Sequence, residues 1–374
     1  MIIRIEDLKN VAQIILNAVD SNELSVITET LEIKVENNIF YMNVTNREYY
    51  ARVKLPMHQT EEAFHATVNA NLFLKLVSQI TTDTVEFKVN KTSLMITANG
   101  VYKLPLIFDN DSLLELPEIT INNITSEFDI EGNILSSILQ YNSKQLTVGS
   151  ISRPVQKLYY IDEKGALTFT SGACINTFTL EKPIKILLNN RLVKLFKLFK
   201  GETVHFQLGY DSLSSEIIQT KVKFESDNIM ITAILSCDDS MINSVPVTAI
   251  RGRAEANYDY SVNLNKDALL QLINRFLLFV SSTSKDLTAY CTFEFNTNSL
   301  TVYDMEKDNK ETISYNNDST NIDEPYVAIL DLNDLKGTLD TCHEQYITFK
   351  FGDGQAVLIC RGNIVNVIPE LHTT

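Results

Sequence analysis

The stretch Phe64-His65-Ala66-Thr67-Val68-Asn69-Ala70-Asn71-Leu72-Phe73-Leu74-Lys75-Leu76, continued by Val85-Glu86-Phe87-Lys88-Val89 and Leu94-Met95-Ile96-Thr97, decides the fold. It opens as an alternating strand and passes through a small polar cap at Asn69. It then becomes a short amphipathic helix with Leu72, Phe73, Leu76 and Ile80 on one face. Two alternating strands follow, each with one face buried and one wet. Asn suits the helix start because its side-chain oxygen satisfies a free backbone N–H.

The same pattern recurs along the chain. A first helix carries Leu8, Val11, Ala12, Ile15 and Val19. A third follows Gly132 and Asn133 with Ile134, Leu135, Ile138 and Leu139. A fourth follows Asn189 and Asn190 with Leu192, Leu195, Phe196 and Phe199. A fifth follows Asn265 with Leu269, Leu272, Ile273 and Phe276, and a sixth follows Asn333 with Leu335, Leu339 and Cys342. Strands 346–350 and 356–359 close the last unit, with Gly352 and Gly354 as their hairpin turn. A period of roughly 60–75 residues is longer than common solenoid repeats. The chain therefore reads as six βαβββ-like units, two per domain, with two helices on one side of each domain and antiparallel sheet on the other. This is an α+β fold of three domains, 1–120, 121–252 and 253–374. The boundaries fall at the polar stretch 117–126 and at Arg251-Gly252-Arg253-Ala254, and the Asn-rich stretch 316–324 is a loop inside the third domain.

Composition narrows the function. The 374 residues are 44% hydrophobic and 21% charged, which supplies cores and argues against disorder. Asp and Glu number 47 against 32 Lys and Arg, a net charge of −15. That excludes a uniformly basic nucleic-acid wrapper but leaves room for a local basic surface. The 12 Gly and 8 Pro are scarce, which weakens any reading built on glycine-rich phosphate loops. No stretch reaches the ~18 apolar residues of a membrane span, and the start Met-Ile-Ile-Arg-Ile-Glu lacks a signal-peptide pattern. Five scattered cysteines (Cys174, Cys237, Cys291, Cys342 and Cys360) without a C-x-x-C read as buried thiols of a cytoplasmic protein.

Chemistry-bearing motifs are absent: no phosphate loop, no dinucleotide fingerprint, no nucleophile elbow and no H-E-x-x-H zinc helix occurs. The histidines His58, His65, His205, His343 and His372 have no metal-ligand spacing. His343 beside Glu344 reads as a solvated helix end, and Asp109 with Asp111 as a charged loop. The expectation is a protein with no catalytic residues, no metal and no cofactor.

Basic charge collects on the fourth helix. Arg191, Lys194, Lys197 and Lys200 lie within ten residues, and at helical spacing Lys194 and Lys197 fall opposite the apolar stripe. Such a face either solubilises the helix or meets phosphates. Lys9, Lys75, Lys144, Lys266, Arg275 and Lys336 add basic residues to the other helices. Distributed charge of this kind suffices for sequence-independent DNA binding.

Together these residues resemble a known family, the bacterial sliding clamp, which is the β subunit of the replicative DNA polymerase. The resemblance spans essentially the whole chain. In the first domain it rests on 64–76 and on Leu94-Met95-Ile96-Thr97-Ala98-Asn99-Gly100-Val101-Tyr102-Lys103-Leu104. In the second it rests on Ser152-Arg153-Pro154-Val155 and Phe169-Thr170-Ser171-Gly172, similar to the family's Arg-Pro-x-Leu and Ala-Thr-Asp-Gly-His-Arg-Leu. In the third it rests on the closing strand Val365-Asn366-Val367-Ile368-Pro369. The resemblance implies a head-to-tail homodimeric ring with helices lining the hole. Such a ring encircles duplex DNA and tethers the polymerase as a processivity factor; a clamp-fold interaction or structural protein that does not encircle DNA is the alternative. The implied partners are DNA, a DNA polymerase, a clamp loader and a second copy.

The basic residues above, with Arg153, would face DNA. Val155, Thr170, Gly172, Ile175, Pro246, Val367, Ile368 and Pro369 would form an apolar pocket for partner peptides. Tyr102, Leu104 and Leu106 would meet Phe279 and Val280 across the dimer interface. The sequence departs from the family where Ala173-Cys174 replaces His-Arg, in the tail Glu370-Leu371-His372-Thr373-Thr374, and around Asn22 and Glu23, where clamps carry an Arg. These departures point to a phage- or plasmid-borne clamp, or to one from an AT-rich bacterium.

Overall fold

The computed structural model describes all residues except 20–24, 58–62, 148–152, 213–217, 236, 284–288, 316–321, 323, 353 and 372–374. The readings made for Asn22, Glu23, His58, Ser152, His372 and most of the 316–324 loop therefore lie outside the described residues.

Six βαβββ units follow one another. The first comprises β1 (Ile2–Arg4), α1 (Ile5–Leu16), β2 (Thr30–Glu36), β3 (Ile39–Thr45) and β4 (Tyr49–Pro56). The second comprises β5 (Phe64–Asn69), α2 (Ala70–Gln79), β6 (Thr84–Val89), β7 (Ser93–Thr97) and β8 (Val101–Pro105), followed by a small hairpin of β9 (Phe108–Asp109) and β10 (Ser112–Leu113). The third has β11 (Asn123–Glu131), α3 (Gly132–Ser137), β12 (Leu158–Asp162), β13 (Gly165–Phe169) and β14 (Ala173–Thr177). The fourth has β15 (Lys185–Asn189), α4 (Asn190–Val193), β16 (Thr203–Ser212), β17 (Ile218–Glu225) and β18 (Ile229–Ile234). A connector of α5 (Asp239–Asn243) and α6 (Val247–Glu255) leads to the fifth unit: β19 (Tyr260–Asn265), α7 (Lys266–Thr283), β20 (Tyr290–Phe295), β21 (Ser299–Asp304) and β22 (Lys310–Ser314). The sixth is β23 (Tyr326–Asp331), α8 (Leu332–Leu339), β24 (Tyr346–Phe351), β25 (Ala356–Arg361) and β26 (Ile364–Pro369).

Polar caps start the helices where the sequence indicates. Leu72 N donates to Asn69 Oδ1 at 3.0 Å, Leu192 N to Asn189 Oδ1 at 2.9 Å, and Ala268 N to Asn265 Oδ1 at 3.0 Å. The sixth helix is an exception. Its cap is Asp331, which accepts from Asn333 N at 2.7 Å, so the cap lies two residues before the expected Asn333 and the helix begins at Leu332. The first helix ends at Leu16, short of Val19. The third helix begins at Gly132 itself rather than after Asn133, and it is broken, passing from α3 into a π turn (Ile138–Asn142) and a 3₁₀ turn (Lys144–Thr147).

Units pair by exchanging first strands. β1 lies beside β6 and β5 beside β2; β11 lies beside β16 and β15 beside β12; β19 lies beside β24 and β23 beside β20, all antiparallel. Last strands then join units that are three apart. β4 pairs with β18 (Ala51 opposite Ile231), and β14 pairs with β26 (Ile175 opposite Val365). This produces two eight-stranded sheets, β11-β16-β17-β18-β4-β3-β2-β5 and β15-β12-β13-β14-β26-β25-β24-β19. Two four-stranded sheets, β1-β6-β7-β8 and β22-β21-β20-β23, end on β8 and β22.

The chain divides into two compact units, residues 1–135 with 194–236, and residues 136–193 with 237–374. In the first, Phe73 stacks on Phe87 at 6.0 Å, and Phe196, Phe199 and Phe206 surround Phe224. Each such buried ring is worth about 2 kcal/mol of hydrophobic stabilisation. The 114–122 connector is fastened to the same unit. Leu116 and Ile119 pack on Tyr50 and Met230, and Leu116 N donates to the buried Glu32 carboxylate at 3.4 Å. Lys221 Nζ donates to Thr120 O at 2.9 Å and pairs with Asp211. In the second unit, Phe295 stacks on Phe351 at 4.1 Å with Tyr260 and Tyr326 alongside.

Candidate nucleic-acid and partner surfaces

The fourth helix departs from its expected geometry. After α4 the chain continues as a 3₁₀ helix, Lys194–Phe199. The sequence Arg191-Leu192-Val193-Lys194-Leu195-Phe196-Lys197-Leu198-Phe199-Lys200 repeats with a period of three, which matches 3₁₀ rather than α spacing. With three residues per turn, Lys194, Lys197 and Lys200 stack in one exposed column. Leu195 falls in a second, and Phe196 and Phe199 in a third; all three of these apolar residues are buried. The lysine column is free of ion pairs among the described residues. At a rise of about 2 Å per residue its ammonium groups recur about every 6 Å. Arg191 is exposed on the turn before it.

Other basic residues are more occupied. Lys9 Nζ donates to Ile80 O at 2.6 Å, Lys266 pairs with Asp267 at 3.1 Å, and Arg275 forks onto Glu311. Lys75, Lys144 and Arg153 are exposed, and Lys336 is half-buried on α8.

The residues expected to line a peptide pocket separate by strand alternation. Val155, Ile175 and Val367 share one apolar cluster with Ala173 and Leu358 on one face of the second eight-stranded sheet. Ile368 points to the opposite face and belongs to the core of the fifth and sixth units. Thr170 and Gly172 form a tight turn. Thr170 Oγ1 accepts from Gln145 Nε2 at 2.9 Å, Thr170 O accepts from Gln156 Nε2 at 3.0 Å, and Ser171 Oγ donates to Asp334 at 2.9 Å. Pro246 is exposed between α5 and α6, and Pro369 is half-buried at the end of β26. Cys174 is fully enclosed, and burial pushes its thiol up to about 12.

The expected interface residues fall on an edge strand and a helix. On β8, Val101 and Tyr102 are exposed, whereas Leu104 is buried in its own sheet and Leu106 is half-buried just beyond. Phe279 is exposed and Val280 half-buried on α7. The edge strand β22 was not foreseen from the sequence, because Lys310-Glu311-Thr312-Ile313-Ser314 holds a single large apolar residue; nor were the connector helices α5 and α6, the latter running through the expected boundary at 251–254.

Solved structures match this architecture from end to end. The DNA polymerase III subunit β from Pseudomonas aeruginosa aligns over 100% of both chains with a TM-score of 0.78 at 13% identity. The sliding clamp from Bacillus subtilis covers 100% of this chain and 99% of its own, with a TM-score of 0.77 at 16% identity. The β subunit from Thermotoga maritima does likewise at 0.77 and 13%. The chain has the sliding-clamp fold. No family model and no curated protein matches its sequence, so the clamp fold is carried here by a sequence far from those structures. No helix among the described residues is long and apolar enough to cross a membrane.

Proposed function

We propose that the chain is a DNA sliding clamp: a head-to-tail homodimer of three domains per copy (1–120, 121–252 and 253–374) that encircles duplex DNA. It would tether a polymerase without doing chemistry itself. The pairing of last strands carries this reading. Unit 1 joins unit 4 and unit 3 joins unit 6, so each odd unit pairs with the unit three further on. By the same rule unit 5 pairs with unit 8, which is unit 2 of a second copy. β22 and β8 are the two last strands left over, and an edge strand is a template for another chain. Repeating the join from copy to copy is heterologous, and it closes into a ring if the rotation allows. Tyr102 and Val101 on one side, with Phe279 and Val280 near the other, would cover the join.

Inside such a ring the helices would present Lys9, Lys75, Lys144, Arg153, Arg191, Lys194, Lys197, Lys200, Lys266 and Lys336 to phosphates, whereas Arg275 is neutralised by Glu311. Topological linkage supplies retention, so the phosphate contacts can stay weak and sequence-independent, which permits sliding. Acidic charge elsewhere offsets this lining in the sum of −15. The Val155–Ile175–Val367 face, with Thr170, Gly172, Pro246 and Pro369 around it, is the surface for a polymerase or clamp-loader segment. A cytoplasmic setting fits this role.

Light scattering combined with loading onto nicked circular DNA tests the reading. The expected result is a particle near twice 42.3 kDa that stays on the circle and runs off once the DNA is linearised. A stable monomer, or equal loss from circular and linear DNA, would leave the non-encircling interaction protein in its place.

A further inference from the structure

The apolar face assigned above to partners is covered by the chain's own connector. Val155, Ile175 and Val367 are 4%, 5% and 9% exposed. Against them pack Met241 and Ile242 of α5 and Val247, Ile250 and Ala254 of α6. Val247, Ile250 and Ala254 recur at helical spacing, so α6 lays one apolar ridge on the sheet.

This cover is thinly attached. No residue of α5 or α6 is fully buried, whereas α1 buries Leu8, Val11, Ala12 and Ile15 and α8 buries six residues. Val245, between the two helices, is the buried anchor. The polar fastenings lie in the last turns of α6. Arg251 forks onto Asp162 at the end of β12, with both N–H···O contacts at 2.7 Å, and Arg253 reaches Gln355. Between these two arginines sits Gly252. A Cβ there would meet nothing within 4 Å, so packing does not require the glycine. Glycine inside a helix weakens it. Elements with few buried apolar contacts are the ones that open locally while the rest of a protein stays folded.

We propose that α6 is a displaceable cover, pinned shut by the Arg251–Asp162 pair, and that an apolar segment of a partner protein reaches the Val155–Ile175–Val367 floor only when α6 lifts. The inference rests on the partner surface of the clamp reading. A partner must outcompete the α6 ridge, so access to the floor is set by the strength of one ion pair and one helix. The pair is largely buried, with side-chain exposures of 17% for Arg251 and 5% for Asp162, so salt screens it only weakly and the cover opens by competition from the partner segment.

Hydrogen exchange of the full-length protein, read by mass spectrometry together with binding of the apolar dye anilinonaphthalene sulfonate, tests this. Wild-type α6 amides should exchange faster than those of β12, β14 and β26. Arg251→Gln with Asp162→Asn neutralises both partners without stranding a buried charge. This variant should speed α6 exchange at least tenfold, leave the three strands unchanged and raise dye binding. Gly252→Ala should slow α6 exchange about fivefold, and it keeps the test decisive if the double variant folds poorly. Exchange of α6 only in step with β12, β14 and β26, or faster α6 exchange with no added dye, would overturn the cover. Retention on nicked circular DNA, measured in parallel, separates the two ideas. Retention without separate α6 opening removes the cover and leaves the clamp. Opening without retention removes the clamp, and with it the partner role of the floor.

Discussion

Replacing Lys194, Lys197 and Lys200 together with Ala should flatten the salt dependence of DNA binding by a calculable amount. The three ammonium groups are exposed and make no ion pair among the described residues, and at three residues per turn they recur about every 6 Å along and just beyond the 3₁₀ helix, so each can neutralise one phosphate. The logarithm of affinity falls by roughly 0.9 per neutralised phosphate for each tenfold rise in salt. Removing three contacts therefore lowers the slope by about 2.7. Between 50 and 200 mM salt, the variant should lose about 40-fold less affinity than the wild type. Fluorescence anisotropy of a labelled short duplex over a potassium chloride series measures this directly. A paired control, Arg275→Ala with Glu311→Ala, should leave the slope unchanged because that pair is already neutral. Parallel lines for the triple variant and the wild type would show that the column does not meet DNA, and would refute the 3₁₀ argument.

Three further outcomes follow from the structure. Burial pushes Glu32 up, but donors from His65, Asn43 and Lys34 outweigh it and hold the carboxyl below its ordinary 4.5. Its stabilisation is thus complete above pH 4.5 and is lost as pH falls through the lower folded value, so the urea midpoint should drop more steeply on acidification in the wild type than in Glu32→Gln; equal slopes would contradict this. A Cβ at Gly132 would sit 1.7 Å from Phe199 O, so Gly132→Ala should cost about 2–3 kcal/mol or more in thermal unfolding, and a wild-type melting curve would disprove the close approach. Tyr102→Asp should shift the light-scattering mass from dimer toward 42.3 kDa, because a charge on the exposed β8 edge opposes strand addition; an unchanged dimer would place the interface elsewhere.

Local chemistry was legible in the residues themselves. Alternation in Val85–Phe87 and the Asn caps at 69, 189 and 265 depend only on neighbours within a turn or two, so the βαβββ repeat could be read directly, but the expected apolar face of α2 was misplaced: Leu72 is exposed, and Leu74 and Val77 are buried beside Phe73. The period-three run from Arg191 to Lys200 was equally visible, but an α-helical template hides it; only the backbone shows the tighter turn that aligns the lysines. Asp331 took the cap expected of Asn333 because either side chain can accept that bond, and the turn geometry chose between them. What tertiary structure alone decided is which strands meet. The exchange of first strands, the joins of unit 1 with 4 and 3 with 6, and the leftover edges β8 and β22 rest on backbone N–H and C=O groups that are the same in every strand. The Arg251–Asp162 fastening likewise joins residues 89 apart. Sequence sets each strand's buried face through its side chains. Strand order depends on backbone groups that no residue type distinguishes and on contacts between distant parts of the chain, so it emerges only when the whole chain is folded.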